Sequence, residues 1–215
     1  MRNIWKAAKL DGSLVKPYAR VIGFTMLLPI AFAAINRSLP TGVSFAMCFI
    51  AMTTGYPFSV TEKNGMERLY GILPVRKWEL VTGRYLFVLA LGALALTVSL
   101  IAQPLVLRAM GETVAAADLV GAAVGGLFLF ALYTVFQIPG YYKYGSIKGR
   151  VFLYIPVAGF LATLLLLPKM PAGNPLAAAI AGSPVLLAAL VTALVVGMYA
   201  VSIWCSIRIM QNKEL

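Results

Sequence analysis

The sequence predicts an all-α polytopic membrane protein with six transmembrane helices and both ends on the cytoplasmic side. Three observations predict it. Of 215 residues, 61% are apolar and only 12% charged, and mean hydropathy is +0.88. Soluble domains carry about 45–50% apolar and about 25% charged residues, so a soluble fold of this size could not bury the excess. Second, six apolar stretches approach the roughly 20 residues that a helix needs to cross about 30 Å of hydrocarbon. Third, the basic residues alternate between one set of connections and the other.

The stretches are residues 18–35, 41–59, 80–107, 116–137, 151–167 and 184–207. No charge lies between Arg84 and Arg108, between Asp118 and Lys143, or from Met170 to Ile207, which makes the third, fourth and sixth the clearest. The first has Arg20 near its start and Pro29 inside it, and membrane helices tolerate an internal proline. Its apolar run begins too far along the chain for a cleaved secretory leader, so it is read as a retained helix. Pro171, Pro175 and Pro184 punctuate the start of the last uncharged region. Residues 171–183 are therefore expected as an outer connection, with a short interfacial helix near 176–180.

Orientation follows from Lys and Arg, which collect in cytoplasmic segments. The N-terminal segment carries Arg2, Lys6, Lys9, Lys16 and Arg20, and the second-to-third connection carries Lys63, Arg68, Arg76, Lys77 and Arg84. Lys143, Lys148 and Arg150 follow the fourth span, and Arg208 and Lys213 lie in the tail. The other three connections hold one basic residue each: Arg37, Arg108 and Lys169. This alternation places both ends inside. The net charge of +11 is then explained by an anionic inner leaflet, and no nucleic-acid partner is expected.

Catalytic chemistry has few materials. The absence of His excludes a Ser-His-Asp triad, a His-based zinc site and His ligation of haem. Cys48 and Cys205 both fall inside expected spans and read as two buried thiols without metal spacing. Among the acids, Asp118 alone is expected to approach a membrane interior, as an interfacial residue, so a proton-coupled path is not expected. The closest approach to a phosphate loop, residues 140–146, has Ser146 where the lysine is required. No cofactor, catalytic residue or metal is expected in this chain.

Polar side chains inside the spans have two readings. Thr53, Tyr56, Gln103 and Gln137, with Thr54, could line a substrate path or could bond between helices. Gly121 and Gly125 form a small-x-x-x-small pair that allows close helix approach.

Three cytoplasmic segments carry more information. In residues 1–17, Arg2, Lys6 and Lys9 recur at helical spacing while Ile4, Trp5 and Ala8 share another face. That pattern predicts an amphipathic helix in the inner interface, with Trp5 at headgroup depth. In residues 60–76, Met66, Leu69, Tyr70 and Leu73 recur at i, i+3, i+4 and i+7 as one apolar stripe. Ser59 or Thr61 is expected to cap this short helix, with Glu62 in its first turn, and Gly71 and Pro74 mark its end. The stripe could rest on the inner membrane surface or in a groove of a soluble partner. The third segment is a second cytoplasmic loop at residues 139–150.

These segments resemble a known family. The run Thr61-Glu62-Lys63-Asn64-Gly65-Met66-Glu67-Arg68-Leu69-Tyr70-Gly71-Ile72-Leu73-Pro74-Val75-Arg76-Lys77, followed by Arg84-Tyr85, is similar to one in bacterial type-two ABC transporter permeases. Ile138-Pro139-Gly140-Tyr141-Tyr142-Lys143-Tyr144-Gly145-Ser146-Ile147-Lys148-Gly149-Arg150 resembles a loop of the small six-span exporter branch, and Lys9-Leu10-Asp11 is a weaker match. The resemblance implies a permease subunit in a bacterial plasma membrane, paired with a second, identical or related permease chain. Separate ABC-type ATPase subunits would hold ATP and Mg. Residues 62–73 would be the coupling helix: Glu62, Glu67 and Arg68 as polar rim, Leu69, Tyr70 and Leu73 as apolar anchors, with Met66 and Pro74 beside them. Lys143 and Lys148 would form a second contact. Cargo would be peptides or small amphipathic compounds. A vitamin-uptake membrane subunit and a structural membrane protein are the competing readings; lack of His and of clustered acids weighs against an intramembrane enzyme.

Overall fold

Helices account for nearly all of the computed structural model, which describes residues 2–66, 70, 75–159 and 184–213. Helix α1 is Arg2–Val15, α2 Ala19–Asn36, α3 Leu39–Thr53, α4 Gly55–Lys63, α5 Lys77–Ala109, α6 Ala116–Lys148 and α7 Pro184–Gln211. Among the described residues there is no strand. Five helical stretches among the described residues are long and apolar enough to cross a membrane: Asn3–Asn36, Leu39–Lys63, Lys77–Ala109, Ala116–Gly159 and Ala189–Gln211. Of the expected fifth span, residues 151–159 continue from α6 through a 3-10 turn at Gly149–Leu153, and residues 160–167 lie outside the described set. The expected outer connection at 171–183 also lies outside it.

Helix α3 is the centre of the bundle. Val43, Ala46, Met47 and Ile50 are fully enclosed, and α3 packs against α2, α5 and α6. Helix α2 buries one stripe, Ile22, Met26, Pro29 and Ala33, and leaves Phe24, Leu27 and Ile35 exposed. An apolar outer surface of this kind costs little in lipid, where the bilayer replaces water as solvent. At 33 residues each, α5 and α6 are about 50 Å long. Both exceed the hydrocarbon thickness and must project beyond it.

Contacts between connections sort the chain into two ends. At one end Arg37, which ends α2 in the left-handed region (φ 48), pairs with Glu112 at 3.2 Å. At the other, the Asn3 amide donates to Glu79, the Lys77 ammonium donates to the Lys213 carbonyl at 2.9 Å, and the Ser146 amide donates to Glu62. This second end gathers the four basic-rich segments and is called the basic end below.

The second span carries a turn within it: α3 stops at Thr53 and α4 carries on to Lys63, with Thr54 between them in right-handed helical backbone. Two expectations are corrected. The segment expected as a loop at 139–150 is helical through Pro139 and breaks at Gly145 (φ 79, ψ 178). Among the described residues, a Cβ on Gly121 or Gly125 would meet nothing within 4 Å. Close approach occurs one residue further round, where a Cβ on Gly126 would lie 2.8 Å from Val43.

Helix α7 is held by hydroxyl groups. The Tyr85 hydroxyl bonds Ser202 at 2.6 Å and Ser206 at 2.9 Å, Ser202 donates to the Val135 carbonyl, and Thr134 bonds Tyr199 at 2.7 Å. Such interhelical bonds average about 0.6 kcal/mol in a bilayer. Tyr85→Phe, which removes two of them, is therefore expected to cost about 1 kcal/mol. In a thermal melt of the purified chain that is a fall of about 2–4 °C.

Candidate functional site

The polar groups of the basic end converge on Arg84, the eighth residue of α5. Arg84 is 6% exposed, and its guanidinium grips Asp11 of α1 with two bonds, Nε to Oδ2 at 3.0 Å and Nη2 to Oδ1 at 2.9 Å. Nη2 also reaches Thr61 of α4 at 3.4 Å. The cation lies 4.4 Å from the centroid of Phe58 and 5.8 Å from that of Tyr142. One side chain thus links α1, α4, α5 and α6. A charge can be held this far from solvent because the two-pronged geometry and the aromatic faces replace its water.

Backbone proximity makes the arrangement possible. A Cβ on Gly83 would sit 2.5 Å from the Ala7 side chain and 2.9 Å from the Ile4 carbonyl. Only glycine lets α1 lie this close to α5, and the approach delivers Asp11 to Arg84. Helix α1 accordingly buries Ala7, Ala8, Asp11 and Val15, while Trp5 is 56% exposed beside the Lys9 ammonium. The expected Ile4–Trp5–Ala8 face is therefore split: its packed side is set by the small residues that fit against Gly83. Asp118, expected at the outer end of the fourth span, lies in the first turn of α6. Asp118 is exposed and accepts from the Ala115 amide at the start of α6. Among the described residues the buried acids are Asp11 and Glu79. Glu79 accepts from the Arg76 amide at 3.0 Å, which caps α5, and also from Asn3.

A second junction joins the two connections that carry the family-like motifs. Glu62 accepts from the Ser146 amide at 2.7 Å. Gly145 turns the chain to present that amide, and a Cβ there would lie 3.2 Å from a Glu62 oxygen. Glu62 and Thr61 are in the last turn of α4, not the first turn of a new helix, because Gly65 (φ 59) ends α4 and Thr61 bonds back to the Pro57 carbonyl.

Of the residues expected to meet a partner ATPase, Glu62, Lys143 and Lys148 are exposed at the basic end and Met66 is half-buried. Tyr70 is 7% exposed and lines a cavity of about 30 Å3 with Thr61, Arg84, Tyr142 and Ser146. Glu67, Arg68, Leu69, Leu73 and Pro74 lie outside the described residues.

The four path candidates do not form one row. Thr53 bonds the Ile50 carbonyl, and Tyr56 stacks on Tyr18 at 4.8 Å. Gln137 accepts from Thr54 at 3.2 Å and donates to the Tyr141 hydroxyl, so it ties the α3–α4 junction to α6. Gln103 is fully enclosed. The two thiols are half-buried and unbridged.

The Asp11–Arg84 pair escaped the sequence reading. A signal was present: Asp11 shares its helical face with Ala7, Ala8 and Val15, an acid on a stripe of small apolar residues. The partner was not legible, because 73 residues separate the two.

The model of a family described as ABC-2 family transporter protein matches residues 9–211. Neither the curated proteins nor the solved structures give a match.

Proposed function

Because this chain belongs to the ABC-2 family of transporter proteins, we propose that it is a transmembrane permease subunit driven by a separate ABC-type ATPase, which binds the ATP and Mg. The observation that carries the proposal is the Glu62–Ser146 bond, which makes the two motif-bearing connections a single face at the basic end. Force applied there has a route inward. Thr61, next to Glu62, touches Arg84, and Arg84 holds α1 and α5 together.

In this reading the basic end faces the cytoplasm of a bacterial cell, as the alternation of Lys and Arg requires. The coupling segment starts beyond Gly65. Met66, Glu67, Arg68, Leu69, Leu73 and Pro74 meet the ATPase, with Glu62, Lys143 and Lys148 at the margin. Tyr70 instead plugs the segment into the Arg84 hub. Six spans, a second permease chain, identical or related, and an outward-moving cargo of peptide or small amphipathic character complete the proposal. Thr53, Tyr56 and Gln137 brace the helices around the path.

The test is co-purification. An ABC-type ATPase is expected to accompany the tagged full chain from its native membrane in a stable complex. Leu69→Asp is expected to lower coupled ATP hydrolysis at least about tenfold, the consequence of losing one anchor of about 2 kcal/mol. Absence of any such ATPase would overturn the permease reading. Unchanged coupling in Leu69→Asp would overturn the coupling segment alone.

A further inference from the structure

Among the described residues, Gln103 is a buried polar side chain with no hydrogen-bond partner. It sits in α5 at 0% exposure, and neither its amide nitrogen nor its amide oxygen has a hydrogen-bond partner. A carboxamide has two donors and an acceptor, and enclosing it dry forfeits the bonds it would make to water. The enclosure is tight. A Cβ on Gly42 would fall 2.5 Å from the Gln103 oxygen and 2.4 Å from Ala33, so α2, α3 and α5 cross at this point. The neighbouring Pro104 adds to the deficit, because it has no N–H for the carbonyl one turn back.

One turn further along α5, about 6 Å away, Leu107 lines a cavity of about 290 Å3 at the end opposite the basic one. Leu39 of α3 lines it too, as do the charged side chains Arg37, Glu112 and Asp118. Leu39 and Leu107 are themselves buried. Together with Pro40 they place the cavity wall within one turn of Gly42 on α3 and of Gln103 on α5.

We propose that the α3–α5 seam at Gly42 and Gln103 is a gate between this cavity and the bundle interior. When α3 moves away from α5, water or a hydrogen-bonding group of the cargo reaches the amide. The closed state carries the penalty of an unsatisfied amide and the open state relieves it, so the residue biases the seam toward opening. Gln103 is a positioning residue for the transport cycle, and this inference rests on the permease reading.

Two measurements on the full chain in detergent, without ATPase, test it. Gln103→Leu and Gln103→Met remove the amide and keep most of the bulk. At least one is expected to raise the melting temperature by about 2–4 °C. A fall or no change in both would overturn the claim that the amide is a penalty. Gln103→Cys, combined with Cys48→Ala and Cys205→Ala, is then exposed to a charged methanethiosulfonate. Labelling at about 0.1–10% of the rate of an unhindered thiol is expected, the population of a minor open state. A slower rate means that the seam does not open and sinks the gate. Failure of the permease reading would show as no ATPase co-purifying and would leave both results standing.

Discussion

Asp11→Leu is expected to destabilise the protein by about 3–5 kcal/mol, because it leaves the Arg84 guanidinium enclosed without its counter-charge. In a thermal melt that is a fall of about 6–20 °C. The double variant Asp11→Leu with Arg84→Met should recover most of the loss, since replacing both charges by apolar groups removes the desolvation cost as well as the attraction. The non-additivity separates a closed ion pair from two independent side chains. A loss below about 1 kcal/mol in the single variant, the range of exposed pairs, would mean that water reaches Arg84. The hub would then not be a rigid link between α1 and α5.

Gly145→Ala is expected to cost about 1–3 kcal/mol, because φ 79 with ψ 178 is a backbone conformation essentially reserved for glycine. The new methyl would also press on the Glu62 carboxylate, 3.2 Å from the position it must occupy. Glu62→Ala should cost less, about 1 kcal/mol, since its carboxylate is open to solvent on one side. The two losses combined should fall short of their sum, because the first already displaces the bond that the second removes. Hydrogen exchange gives an independent reading. The Ser146 amide should exchange faster in Glu62→Ala, and an unchanged rate would show that the 2.7 Å bond does not hold the two connections together. If the permease reading is right, both variants should also weaken coupling while the ATPase still binds.

The helices and their membrane class were legible because composition and spacing are local properties. Uncharged runs such as the one between Arg84 and Arg108 need no knowledge of neighbours, and α5 and α6 appear where they were expected. Boundaries were less legible. Thr54 divides a stretch that reads as one span, and the Pro139 region reads as a loop although the helix passes through it. Proline and glycine bias a backbone, but packing against neighbouring helices decides whether it turns. The expected apolar stripe illustrates the same limit. Its period was clear, yet Tyr70 faces the chain's own interior, since periodicity shows that a face is apolar and not what covers it.

The sequence by itself determined that this is an all-helical membrane protein. This follows from residue counts and from periods of a few residues. Only the tertiary structure decided which polar groups meet: Asp11 with Arg84, Glu62 with Ser146, and, among the described residues, Gln103 with nothing. Those pairings depend on how each helix is rotated and how closely it crosses the next. That is set by contacts between distant residues, Gly83 on Ala7 and Gly42 on Ala33, where the missing side chain fixes the distance.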